Sequence, residues 1–109
     1  MAKQRKKGKE TITERAKLKV EGAPLIVETS TTYTPGRRVN PLKYRFQLYH
    51  EITGETLVRY DIHHGKSHHR HFLGRESAEE WKGLEETLAA FQRDIDTIRT
   101  HLREDDDEG

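Results

Sequence analysis

Five of the chain's seven histidines lie within nine residues, directly after the triplet Arg59-Tyr60-Asp61. They are His63, His64, His68, His69 and His71. Histidine has an unperturbed pKa of about 6.5, close to physiological pH, and it is also the commonest metal ligand. A cluster of this density indicates proton-transfer chemistry, a metal site or a phosphate-binding surface.

Metal-independent cleavage of RNA is one reaction that the cluster can support. Attack by a 2′-hydroxyl needs a base that takes the hydroxyl proton and an acid that protonates the leaving oxygen, and two histidines can serve as this pair. We predict His69 and His71 for these roles, with His64 or His68 as substitutes. Asp61 would orient an imidazole and favour its charged form.

Basic and aromatic residues beside the histidines are candidates for holding the substrate. Arg59 and Arg70 can bind a phosphate through bidentate hydrogen bonds and stabilise the charge that develops on it. Tyr60 can position the phosphate or stack on a base, and Lys66 adds a further cation. These residue types suffice for phosphoryl chemistry, but they do not specify it by themselves.

Three other interpretations of the cluster stay open. His64, His69 and His71 could form a metal site, with Asp61 as a ligand or as the group that orients an imidazole, although no established ligand spacing is matched. The segment could instead be an ordinary exposed polar loop. It could also belong to a non-enzymatic module that holds nucleic acid or a partner protein. No cofactor other than such a metal is predicted.

Composition limits the chain to one small domain. Of its 109 residues, 31% are hydrophobic and 36% are charged, and the formal net charge is +1. Cysteine is absent, which excludes disulfides, thiolate zinc sites and cysteine nucleophiles. No apolar run approaches the roughly 18 residues that span a bilayer. We therefore expect a cytoplasmic protein with no membrane partner.

Charge divides the chain into three predicted parts. Residues 1–10 form a flexible basic arm, which is either solvated or in contact with nucleic-acid phosphates. Residues 11–103 form a single α+β domain. Residues 104–109 form an acidic tail that we expect to be disordered.

Alternating apolar residues predict the strands that position the histidines. The run Leu42–Ile52 places Leu42, Tyr44, Phe46 and Leu48 on one face. A turn at Thr53-Gly54 joins it to the strand Thr56–Ile62 in an antiparallel hairpin. The segment before Pro35 is compatible with two further strands.

The histidine segment itself is predicted to be a loop followed by a short strand. Residues 63–67 contain glycine, serine and lysine and break the apolar period. Residues 69–72 can form a strand, on which His69 and His71 share one face and Arg70 takes the other.

A long C-terminal helix is predicted to begin at Ser77, where Ser77 and Glu80 match a capping box, and to end at Leu102 or Arg103. Its apolar positions recur at spacings of three and four. They are Trp81, Leu84, Leu88, Phe91, Ile95, Ile98 and Leu102. This stripe either packs on the chain's own sheet or forms a coiled-coil-like seam, so a homodimer through the helix is an alternative. The predicted fold class is α+β: a small antiparallel sheet of four to five strands packed by one long helix.

The residues Arg59-Tyr60-Asp61, His63-His64 and His68-His69-Arg70-His71 together resemble the signature of TumE-type toxins of bacterial and archaeal toxin–antitoxin systems. An upstream strand like Lys43–Leu48 and a terminal amphipathic helix agree with that family, so the resemblance covers roughly residues 42–103. It implies a toxin whose partner is a cognate antitoxin protein. Combined with the histidine chemistry, it leads us to predict a toxin that binds and cleaves RNA.

Overall fold

Each strand of the protein pairs with the next strand along the chain, and the result is one six-stranded antiparallel sheet. A computed structural model describes residues 10–63 and 67–108, with only the backbone for His63 and residues 103–108. The elements in chain order are β1 (Ile12–Lys19), β2 (Leu25–Tyr33), β3 (Lys43–His50), β4 (Thr56–His63), β5 (Ser67–Phe72), β6 (Arg75–Glu79) and α1 (Leu84–Glu108). The α+β class is confirmed, but the sheet has six strands rather than four to five.

The additional strand is β6, whose residues 77–79 fall in the segment predicted to be the first turn of the helix. A two-residue turn connects β5 to β6, and both of its residues have positive φ, 50° at Leu73 and 87° at Gly74. Such turns match the twist of a hairpin and are usually signalled by Asn-Gly or Asp-Gly rather than by Leu-Gly. The predicted capping box is therefore wrong, because Ser77 lies in β6 and pairs with Arg70 of β5.

Helix α1 begins seven residues later than predicted, at Leu84, and continues to Glu108, beyond the predicted end at Leu102 or Arg103. Gly83 precedes it with a φ of 108°, a conformation that glycine adopts readily and most residues do not. This glycine lets the chain turn from the edge strand onto the sheet. Trp81, predicted on the helical stripe, consequently lies before the helix.

The core lies between α1 and one face of the sheet, which we term the helix face. Helix α1 packs across β3 and β4. The buried residues include Leu25, Tyr44, Phe46, Leu48, Val58, Tyr60, Leu84, Phe91, Ile95 and Ile98. The apolar stripe thus packs on the chain's own sheet, as one of its two interpretations predicts. Two predicted apolar-face residues lie outside this core, since Leu42 is 54% and Leu88 is 37% exposed.

The opposite side of the sheet carries mostly polar and charged side chains. We term it the open face, because no helix among residues 10–63 and 67–108 covers it. Residues that alternate with the buried ones along each strand point to this side. In β4 and β5 these are residues of the predicted site.

Candidate functional site

Strand β5 presents alternate residues of the sequence His68-His69-Arg70-His71 to the two faces of the sheet. His69 and His71 lie on the open face, and His68 and Arg70 lie on the helix face, which confirms the predicted division of this strand. In the neighbouring strands, Asp61 pairs with His69, and both Arg59 and Glu76 pair with His71. We term the five residues Arg59, Asp61, His69, His71 and Glu76 the open-face cluster.

Glu76 is the carboxylate that contacts both histidines. Its Oε2 lies 3.0 Å from Nδ1 of His69 and 3.7 Å from Nε2 of His71. The two imidazoles are largely buried, with 20% and 26% of their side-chain surface exposed, whereas Glu76 is 49% exposed. Glu76 was not among the predicted site residues, because β6, the strand that pairs it with His71, was not predicted.

Arg59 links His71 to Asp61. Its Nη2 donates a hydrogen bond of 2.8 Å to Nε2 of His71, and its Nε lies 3.3 Å from Oδ2 of Asp61. A guanidinium has hydrogen-bond donors and no acceptor, so Nε2 of His71 is the acceptor and carries no proton in this arrangement. Asp61 therefore orients Arg59, where the sequence analysis expected it to orient an imidazole.

The two histidines consequently have different hydrogen-bonding environments. Nε2 of His71 accepts from a cation, and its lone pair becomes available to a proton when Arg59 releases that hydrogen bond. Nδ1 of His69 lies 3.0 Å from Oε2 of Glu76, and its Nε2 lies 3.1 Å from Oγ of Ser67. Two imidazoles beside a cation are groups that can carry out acid–base catalysis at a phosphate.

Arg70 and Tyr60, both predicted to hold the substrate, lie on the helix face instead. Arg70 donates to both carboxylate oxygens of Asp94 in α1, at 2.8 and 2.9 Å, and the hydroxyl of Tyr60 donates to Oδ2 of Asp94 at 2.6 Å. The hydrogen bonds to Asp94 raise the pKa of Arg70, and burial together with Asp94 raises the pKa of Tyr60. These three residues fasten the helix to the sheet. Asp94 could have been noticed in the sequence, because it is a charged residue directly before Ile95 of the apolar stripe.

His68, predicted as a substitute catalytic residue, is packed among aromatic rings. Its ring stacks on Trp81 with centroids 4.4 Å apart and on Tyr44 with centroids 5.6 Å apart. Its Nδ1 lies 3.0 Å from the hydroxyl of Tyr44. Burial, and then the neighbouring His69, lower the pKa of His68. The structure therefore separates His68 from the open-face cluster.

Two predicted site residues, His64 and Lys66, lie outside the described residues, as does most of the predicted loop. Within residues 10–63 and 67–108, no group of three or more potential ligands is arranged to hold a metal ion. The predicted three-histidine metal site includes His64 and is therefore not described. The described part of the chain also contains no helix long and apolar enough to cross a membrane.

A groove on the open face adjoins the cluster. It has a volume of about 680 Å³ and crosses β1, β2 and β3 to reach Asp61 in β4. Four basic side chains line it, namely Arg15, Lys17, Lys43 and Arg45. None of them was predicted as a site residue, because only the pairing of the strands brings residues so distant in the chain to one groove.

Comparison with known proteins agrees with the resemblance noted in the sequence. A family model described as toxin TumE matches residues 3–99. The matched range contains all six strands and α1 as far as Arg99. No curated protein and no solved structure matches the chain.

Proposed function

Because the chain belongs to the TumE toxin family, we propose that it is the toxin of a toxin–antitoxin pair and that it cleaves RNA through metal-independent acid–base catalysis by His69 and His71. The observation that supports this most is the placement of both histidines on one open sheet face, within 3.7 Å of a shared carboxylate and beside Arg59. The cognate antitoxin would be its protein partner, in the cytoplasm.

The proposed reaction begins at His71. Its Nε2 takes the proton of a ribose 2′-hydroxyl, and the 2′-oxygen attacks the adjacent phosphorus. Arg59 exchanges its hydrogen bond to His71 for one to a phosphate oxygen and stabilises the charge of the pentacoordinate state. His69 donates a proton to the departing 5′-oxygen as that P–O bond breaks. The products are a 2′,3′-cyclic phosphate and a 5′-hydroxyl.

Two carboxylates act through their neighbours in this scheme. Glu76 lies against His69, with its Oε2 3.0 Å from Nδ1, and Asp61 holds the guanidinium of Arg59 beside His71. Both are positioning residues, because their contacts are to the imidazole or guanidinium rather than to the proposed site of the phosphate.

The experiment that tests the proposal is product analysis with purified protein and a short single-stranded RNA, in the presence of EDTA. We expect cleavage that leaves 2′,3′-cyclic phosphate and 5′-hydroxyl ends and that is lost in His71→Ala and His69→Ala. The matched control is His101→Ala, which removes an exposed histidine of α1. Cleavage that survives in both site variants, or that stops when EDTA is added, contradicts the proposal.

Growth experiments then distinguish catalysis from binding alone. Expression of the wild-type chain should arrest growth, and co-expression of the antitoxin from the neighbouring gene should restore it. If both histidine variants still arrest growth and the purified protein retains RNA without cleaving it, the chain is a non-enzymatic binding module. A homodimer through α1 stays a prediction that sedimentation can test.

A further inference from the structure

We infer that the groove on the open face is a binding track for a single-stranded RNA, whose backbone runs from β1 across the sheet to the linkage held at the open-face cluster. This inference rests on the proposed function and extends it. It names residues that hold RNA away from the cleaved linkage and the kind of RNA that they accept.

The charges that line the groove favour a polyanion. Strand β1 contributes Arg15 and Lys17, and β3 contributes Lys43 and Arg45. Every residue of β1 is exposed, and the side chain of Arg45 is 59% exposed. Within the part of the chain that the structure describes, no carboxylate lies within 4 Å of Arg15, Lys17 or Lys43. These three cations are therefore available to a ligand.

The acidic residues of the groove already have partners of their own. Glu28 accepts a hydrogen bond of 3.0 Å from Nε2 of Gln47. Asp61 pairs with Arg59 at 3.3 Å and lies 4.0 Å from Nε of Arg45. Because four cationic side chains line the groove against these two carboxylates, the groove presents a surplus of positive charge to solvent, and such a surface attracts nucleic-acid phosphates.

Sheet register aligns the groove with the proposed catalytic residues. Arg15, Arg45 and His69 lie in one row across the sheet, through Ser30 and Asp61. With strands about 4.8 Å apart, Arg45 is about 10 Å and Arg15 about 19 Å from His69 along this row. Stacked nucleotides advance about 3.4 Å along one strand, so the row matches on the order of five nucleotides.

A single strand fits this surface better than a duplex. The proposed chemistry needs a 2′-oxygen that can rotate into line with the scissile P–O bond, and A-form pairing restrains that rotation. Single-stranded RNA also exposes its bases to a sheet surface, whereas double-stranded RNA is bound mainly through its shape. The track therefore selects unpaired RNA and holds it by its phosphates.

The test measures RNA binding and RNA cleavage by the double variant Arg15→Gln/Lys17→Gln, which we term the groove variant. The matched control is the double variant Arg37→Gln/Arg75→Gln. The control removes two exposed cations that do not line the groove. Binding is measured by fluorescence anisotropy with a 2′-O-methyl single-stranded 12-mer, which cannot be cleaved by 2′-oxygen attack. Each phosphate contact to a single strand contributes about 0.7 to the slope of log affinity against log salt. We expect the groove variant to lose about 1.4 from this slope and on the order of 25-fold in affinity at 0.1 M salt.

Cleavage separates this inference from the proposed function. The groove variant should cleave a dinucleotide as fast as the wild type, because that substrate does not reach β1, but should show a raised KM with an unchanged kcat on the 12-mer. An unchanged slope, or equal losses in the control variant, overturns the track. The track is also overturned if an RNA duplex competes with the labelled 12-mer as well as an unlabelled single strand does. The same holds if polyglutamate displaces the 12-mer at an equal concentration of charge. If binding behaves as expected and no RNA is cleaved, the proposed function fails and the track stands.

Discussion

The two faces of strand β5 carry similar side chains in opposite environments. On the helix face, His68 is stacked on Trp81 and Arg70 is paired with Asp94 through both carboxylate oxygens. On the open face, His69 and His71 share the carboxylate of Glu76, which is half exposed, and no helix of the described part of the chain covers them. The first pair holds the fold together, and the second pair is the one that we propose for catalysis.

This difference shows that residue type is a poor guide to role within a strand. A one-residue step along β5 moves a side chain from one face of the sheet to the other. On the helix face, Nε and Nη2 of Arg70 donate to Asp94, and Nδ1 of His68 lies 3.0 Å from the hydroxyl of Tyr44, so these groups are engaged within the protein. The same two residue types on the open face, Arg59 and His71, are exposed to a similar degree, but they contact each other on a side of the sheet that no helix of the described residues covers.

The largest effect should come from the open-face histidines. We expect His69→Ala and His71→Ala each to lower the rate of RNA cleavage by about 10²–10⁴-fold, the usual contribution of a general acid or base. The free energy of unfolding in urea should change by no more than about 1 kcal/mol, since neither ring belongs to the apolar core. If cleavage is lost only in proportion to the loss of folded protein, the open-face histidines act on stability, as the helix-face residues do, and the contrast between the two faces is wrong.

The next largest effect should come from the helix face and should appear in stability. We expect Asp94→Ala to lower the free energy of unfolding by about 3 kcal/mol, because it leaves the largely buried Arg70 without its carboxylate partner. Asp96→Ala, two residues along the same helix at an exposed position, is the control and should cost no more than about 0.5 kcal/mol. Equal costs for the two variants would show that Arg70 and Asp94 do not fasten the helix.

Glu76 should have a smaller effect, confined to catalysis. Glu76→Gln keeps the shape of the side chain but removes the carboxylate charge 3.0 Å from Nδ1 of His69, which weakens the attraction to a protonated His69 by about 1.4 kcal/mol. We expect kcat to fall roughly 10-fold while KM is retained. Glu79→Gln changes a glutamate of the same strand that pairs with His68, and it should leave kcat unchanged. A Glu76→Gln variant with wild-type kcat would remove Glu76 from the site.

The smallest effect concerns the pH dependence of stability. Burial lowers the pKa of His68 in the folded protein, so the unfolded chain binds a proton there more readily. This histidine therefore destabilises the fold as pH falls below about 6.5, the ordinary value. In His68→Phe, which keeps an aromatic ring against Trp81, urea unfolding at pH 5 to 7.5 should show a shallower decline. If the decline of stability with falling pH is unchanged in this variant, a group other than His68 causes it.

Local patterns predicted the elements that carry the open-face histidines. The two-residue period of β3 and β4 reports directly which side chains are buried, and Tyr44, Phe46, Leu48, Val58 and Tyr60 are all in the core. The same period in β5 separated His69 and His71 from Arg70. The signature around the histidines also identified the family, since it depends only on the order of residues in the chain.

Long-range pairing decided the rest. Strand β6 has no apolar period and follows an unusual Leu73-Gly74 turn, and it exists because β5 offers an unpaired edge. Its formation brings Glu76 to the histidines and delays the helix to Leu84. Packing of α1 then assigned Arg70 to Asp94 instead of a phosphate. The sequence by itself determined the class of fold, the family and the two histidines on one face, because these depend on local order and period. Only the tertiary structure decided which charged groups surround those histidines, because that depends on which strands and helices become neighbours.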